Sequence, residues 1–346
     1  MSASSGKYVV GKAESRIAAG HRQFRGWSLR RAEHAHYILT HHPSPIRQKL
    51  DEQMDLATGV AGMDAFQMTR IYEKARIGDV DIHYHLADFT DPWRQPPADT
   101  FLLYSGYCRS LEFWHAWVPL LGRDYRVLRM DPRGYGASGK PAPGYRFEIE
   151  QLARDAFGLM DHLGIGRVHW VGDSTGGAVG MAAALLAPRR ISSITACNTT
   201  AKMAQQTVDT YAIGEKDQAA AIEKFGVYEW CRRTLQYRVD VSKIPPELGE
   251  WWARDMDRTP RHVAAAVFRL FSTVDLWPRL KEIRSPTLLI VGDNCPPIRK
   301  QQLADMAKAL PRGRLVSFEG YDYGIHFLAP ERCVKAVREF LDEQKQ

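Results

Sequence analysis

Several things are missing from this sequence, and each absence removes a class of protein. No run of roughly 18 apolar residues occurs, so no membrane-crossing helix is expected. The opening residues lack the apolar stretch of a secretory signal and only partly resemble a transit peptide. Cysteine is sparse: the five residues, Cys108, Cys197, Cys231, Cys295 and Cys333, are far apart, odd in number and free of any C-x-x-C. Neither a disulfide framework nor a zinc site fits that pattern, and a reducing, cytoplasmic location is the expectation. Repeats and low-complexity tracts are absent too, which excludes solenoids and fibrous proteins.

Acidic residues are nearly missing from one place. Residues 1–50 hold nine Lys and Arg but only two Glu. The chain of 346 residues has 47 basic and 40 acidic side chains, so this segment carries the whole net charge of +7. The remainder is neutral, which argues against a nucleic-acid or membrane role for the body of the protein. Helical patterns over Gly26–Thr40, Ile46–Val60 and Asp64–Lys74 predict a helical N-terminal extension over residues 1–74. Its Phe24, Trp27, Leu29, Tyr37, Ile38 and Leu39 need a partner surface, on a cap over residues 200–280 or on a second copy in a homo-oligomer.

What is present beyond residue 74 is regular. Ala75–Tyr84 alternates apolar and polar residues around a Gly-Asp pair and predicts a hairpin. Short apolar runs then alternate with amphipathic segments: Thr100–Tyr104, Trp114–Leu121, Arg126–Met130, Ile149–Leu163, Val168–Val171, Gly176–Leu186 and Ile191–Cys197. The series resumes with Thr287–Val291, Gln301–Leu310, Arg314–Phe318 and Val334–Leu341. This predicts an α/β fold, a mostly parallel sheet with helices on both faces. Residues 200–280 interrupt it with helical patterns and many aromatics, and no strand. They predict a helical cap between two parts of the core, residues 75–199 and 281–346.

The sharpest motif is Gly172-Asp173-Ser174-Thr175-Gly176-Gly177, between an apolar strand and a helix of small residues. A serine on so tight a turn takes strained backbone angles that lift its hydroxyl clear of the sheet. Side chains two residues before or after it would collide, hence the glycines. The helix start offers unpaired N–H groups to a developing oxyanion. Asp173 reads as a solvent-facing or helix N-terminal charge. Most of the twelve histidines suit structural or solvated roles; His169 lies in a strand, whereas His115, on a helix, is a candidate catalytic base.

With these features the chain from about Ala75 to Leu341 resembles an α/β-hydrolase with a helical cap. Tyr104-Ser105-Gly106-Tyr107 stands where that family usually has His-Gly. Phe113-Trp114-His115-Ala116-Trp117 is similar to its aromatic helix start. Asp131, Arg133, Gly134, Gly136 and Ser138 match its D-x-R-G-x-G-x-S block. Ser285-Pro286-Thr287-Leu288 opens the strand leading to the acid, and Gly324-Ile325-His326 resembles the histidine loop.

The resemblance implies Ser174 as nucleophile, His326 as base, and an oxyanion hole from the Tyr107 and Thr175 amides. The family's usual acid position holds Cys295. Asp293 lies two residues earlier, Asn198 follows the preceding strand, and Asp322 is a further option. Tyr107, Trp114 and Trp252 are expected against the substrate, and Asp131 and Arg133 in a structural turn network.

The implied activity is hydrolysis of an ester, lactone or related acyl bond of a small apolar or aromatic molecule through an acyl-enzyme. No cofactor and no metal is expected. A serine nucleophile argues against haloalkane dehalogenation and epoxide opening, which by the family's usual route need an Asp. Carbon–carbon or amide hydrolysis uses the same Ser-His framework. A ligand-binding protein with little turnover is the alternative from another class.

Overall fold

The computed structural model describes residues 72–295, 297–321 and 323–345. The expected N-terminal helices therefore lie outside the described residues, except that Glu73 and Lys74 open a strand.

Strands β1 (Glu73–Ile77) and β2 (Val80–Ala87) form an antiparallel hairpin. Gly78 sits in its turn at φ +58°, where a side chain would be strained. Strands β3 (Thr100–Tyr104), β4 (Arg126–Met130), β5 (Val168–Asp173), β6 (Ile191–Cys197), β7 (Thr287–Gly292) and β8 (Gly313–Phe318) complete an eight-stranded sheet of order β1-β2-β4-β3-β5-β6-β7-β8. From β4 to β8 every pairing is parallel, and β2 runs antiparallel to β4.

Side-chain alternation divides the central strands between two cores. Leu102, Tyr104, Trp170, Leu289 and Val291 face one cluster, which helices α2 (Ile149–His162) and α3 (Thr175–Leu186) cover. Phe101, Leu103, Val171, Leu288 and Ile290 face the other, closed by α1 (Trp117–Leu121) and a C-terminal helix, Pro330–Glu343. Burial on both faces explains why these strands read as unbroken apolar runs.

Five α-helices lie between β6 and β7: α4 (Gln205–Ala212), α5 (Gln218–Phe225), α6 (Val227–Thr234), α7 (Pro246–Asp257) and α8 (Arg261–Thr273). The two ends of this insertion meet, since Leu276 N–H donates to Ala201 O at 2.9 Å and Lys202 pairs with Asp275 at 2.8 Å. After β7 come α9 (Pro297–Ala309), the short α10 (Ile325–Leu328) and α11, the C-terminal helix just described. Among the described residues no helix is long and apolar enough to cross a membrane.

The block from Asp131 to Ser138 is a buried polar turn. Asp131 accepts from the Leu111 and Ala137 amides, both at 2.7 Å, and faces His83 Nδ1 at 2.7 Å. Arg133 grips Asp155 of α2 through two hydrogen bonds of 2.8 Å, with both side chains 2% exposed. Removing one member strands a buried charge. Asp155→Ala is expected to lower the unfolding free energy by about 3 kcal/mol. Asp79 also pairs with Arg133 but is 70% exposed, and Asp79→Ala should cost about 1 kcal/mol or less. Urea titration of both variants measures this, and equal losses would contradict the ranking.

Candidate active site

Ser174 links the carboxyl end of β5 to α3 with φ +50° and ψ −119°, a conformation that non-glycine residues rarely adopt. Its N–H donates to Cys197 O of β6 at 2.8 Å, and its carbonyl accepts from Thr199 Oγ1 at 2.9 Å. The glycines behave as their spacing predicts: a Cβ on Gly172 would strike the Gly176 backbone, and one on Gly176 would strike Tyr104 O. Straining the turn is thus built into its neighbours.

Neither the Thr175 nor the Tyr107 amide has a hydrogen-bond partner among the described residues. Both residues, with Ser174, line a cavity that is partly open to solvent. Tyr107 is fixed there by its hydroxyl, which donates to Ala264 O of α8 at 2.6 Å. Tyr211, Trp230 and Phe268 from the inserted helices form part of the opposite lining.

His326 is the second residue of α10 and is wholly buried. Trp114 packs at 5.2 Å from its ring, and Trp117 Nε1 donates to its carbonyl at 2.8 Å. Neither ring nitrogen has a hydrogen-bond partner among the described residues, Ser174 Oγ included. Burial drives the imidazole pKa down to about 4; the Asp173 carboxylate opposes this shift and the Arg109 guanidinium adds to it. The ring is neutral at pH 7, as a proton acceptor must be.

Asp173 corrects the expectation of a solvent-facing charge. It is fully buried, accepts from Gly106 N–H at 2.6 Å, and pairs with Arg109 at 2.6 Å. Its Oδ2 lies 3.7 Å from His326 Nε2. Burial works against the charge of Arg109, but the Asp173 carboxylate and Tyr323 outweigh it, and the guanidinium pKa is raised.

The candidate acids are placed otherwise than expected. The β7–β8 pairing continues past the strands, with Asp293 N–H donating to Phe318 O and Asn294 N–H to Tyr321 O, each at 3.0 Å. This turns Asp293 toward the β8 loop, where its carboxylate accepts from Gly320 N–H at 2.7 Å rather than meeting His326. Asn198 lines the cavity and donates through Nδ2 to Tyr323 O, so it holds the histidine loop and not the ring. Asp322 lies outside the described residues.

Two of the three expected substrate contacts are also corrected. Trp114 and Trp252 are wholly buried, the first against Trp117 and His326 and the second against Phe113 and Phe327, and neither lines the cavity. Large aromatics there complete the core. His115 is surface-exposed, bonded to Glu112 O at 2.9 Å, and His169 bonds Ser193 Oγ at 2.8 Å. Sequence reasoning missed Arg109, Arg238 and Arg299 in the lining. Arg109 had a signal, two residues beyond Tyr107; the other two had none.

The α/β-hydrolase fold profile matches residues 99–221, which include β3, β5 and the Ser174 turn. The chain has the α/β-hydrolase fold. RutD of Pseudomonas syringae pv. syringae, a protein named for carbamate hydrolysis, is 29% identical over 254 residues, covering 71% of this chain and 95% of its own. The 3-oxoadipate enol-lactonase 2 of Acinetobacter baylyi is 28% identical over 54% of this chain and 68% of its own. The enol-lactonase structure from Burkholderia xenovorans LB400 superposes with a TM-score of 0.67 at 25% identity, covering 78% of this chain and all of that one. This α/β-hydrolase is accordingly an enzyme of the hydrolase class.

The buried imidazole makes stability depend on pH. An unfolded histidine takes a proton below about pH 6.5, whereas folded His326 refuses it until about pH 4. Stability from this group is full above pH 6.5 and is lost as pH falls toward 4, by about 3 kcal/mol in all. Urea unfolding of wild type and His326→Gln at pH 7 and pH 4.5 should show a smaller acid loss in the variant. Equal losses would mean that His326 is not buried neutral.

Proposed function

We propose that this hydrolase cleaves an ester, lactone or related acyl bond of a small molecule through an acyl-enzyme on Ser174. The observation that carries this reading is the strained Ser174 turn, which opens into a cavity beside two unpartnered amides. Ser174 Oγ attacks the carbonyl carbon while its proton passes to the neutral His326. The oxygen turns anionic against the Tyr107 and Thr175 N–H groups, each such donor being worth about 10²–10³ in turnover. His326 then protonates the leaving group and activates the water that releases the acid. No cofactor is required.

The cavity walls that Met256, Phe268 and Phe271 supply suit an apolar portion of the substrate. In this geometry the carboxylate facing His326 is that of Asp173, next to the nucleophile. Asp293 and Asn198 are the competing candidates for the acid's role. One observation favours a second reading: Ser174 and His326 share no hydrogen bond, which is what a ligand-binding protein with little turnover would show.

A fluorophosphonate probe and a panel of p-nitrophenyl esters separate the two. Labelling at Ser174, ester cleavage, and a loss of at least about 10³-fold in kcat for Ser174→Ala are expected. No labelling and no cleavage would establish the binding-protein reading. Among the acid candidates, Asp173→Asn should lose the most turnover per folded molecule, and Asp293→Asn and Asn198→Ala less than about tenfold. A loss near 10⁴-fold in Asp293→Asn alone would return the acid to Asp293.

A further inference from the structure

The charges around the cavity do not balance. Arg109, Lys202, Arg238 and Arg299 all line it, and no Asp or Glu does so among the described residues. Two of the four are paired, Arg109 with Asp173 at 2.6 Å and Lys202 with Asp275 at 2.8 Å. No carboxylate of the described residues lies within 4.0 Å of Arg238 or Arg299.

Arg238 is the more telling of the two. Its side chain belongs to a residue only 5% exposed, and its protein contact beyond aromatic rings is a weak one, 4.0 Å to Cys231 Sγ. The guanidinium lies 4.7 Å from the Trp230 ring centre and 5.0 Å from that of Tyr211. Two rings therefore fix a cationic fork whose side-chain donors meet no oxygen among the described residues. Burying a full charge is costly unless a counter-charge meets it. Nearby, Arg109 Nη1 is buried without a partner, and Arg299 reaches the same cavity over the Tyr323 ring at 5.0 Å.

We infer that Arg238, with Arg299 and the free nitrogen of Arg109, forms a subsite for a carboxylate carried by the substrate. A rigid guanidinium presents paired N–H groups that match the two oxygens of a carboxylate. Ser174, Tyr107 and Thr175 line this same cavity, so the substrate is bifunctional. One end is the acyl bond to be cut, the other a free carboxylate, with an apolar body between them. This rests on the reading of Ser174 as nucleophile and narrows it from small acyl compounds in general to acids that also carry an ester or lactone.

The test pairs two esters of matched size, p-nitrophenyl hemiglutarate and p-nitrophenyl pentanoate. The ratio of kcat/KM, hemiglutarate over pentanoate, is expected to be at least about tenfold in wild type, the range of a charge-assisted hydrogen bond. It should collapse toward one in Arg238→Gln and be partly kept in Arg238→Lys. Loss of packing alone would not move that ratio, because both esters share the same scaffold. Cleavage of both esters with no preference, or a preference that survives Arg238→Gln, overturns the carboxylate subsite and leaves the hydrolase reading standing.

If neither ester is cleaved, the hydrolase reading fails and calorimetric titration with glutarate decides the subsite separately. Saturable binding to wild type, lost in an Arg238→Gln protein of unchanged far-UV circular dichroism, supports it. Absence of binding, or equal binding to both proteins, overturns it.

Discussion

One buried carboxylate joins the three loops from which the site is made. Asp173 closes β5, accepts from the Gly106 amide in the loop after β3, pairs with Arg109 further along that loop, and faces His326 before α11. A fully buried charge cannot tolerate the loss of its partners, so each loop is held at the distance the others impose. The free Tyr107 amide stands next to Gly106, and the free Thr175 amide stands two residues beyond Asp173. The same ion pair that satisfies Asp173 thus fixes the separation between the two donors on either side of Ser174.

Much of the architecture could be read from residue order because its causes are local. β3, β4 and β6 have the ends that the sequence predicts, since strands covered on both faces read as short, mostly buried runs bounded by turns. The Ser174 turn was legible for a similar reason: glycine at positions 172 and 176 reports a backbone too close for any other side chain. The expectation of helices between β6 and β7 also rested on local periodicity.

Other features were not legible, and the reason is tertiary. Asp293 is near in sequence to the place where an acid was sought, but two backbone hydrogen bonds that extend the β7–β8 pairing turn it away. Trp114 and Trp252 carry the right chemistry for a pocket wall, yet aromatic bulk serves a core equally well, and only packing decides between them. Asp173 reads as a surface charge until Arg109, 64 positions earlier, is brought against it. Arg238 is one of several arginines after α6, and only packing shows that it is buried in the cavity wall.

Serine is among the residues best suited to begin a helix, because its hydroxyl ordinarily bonds the exposed amides of the first turn and stabilises it by about 1 kcal/mol. Ser174 occupies that position before α3, but its side chain makes no such bond. The left-handed backbone withholds the hydroxyl from its own helix. Helix α3 therefore begins uncapped, and its first amides remain available to something that is not protein. A version of this turn relaxed into an ordinary helix cap would be the more stable one, and it would have tied up the hydroxyl proposed as the nucleophile.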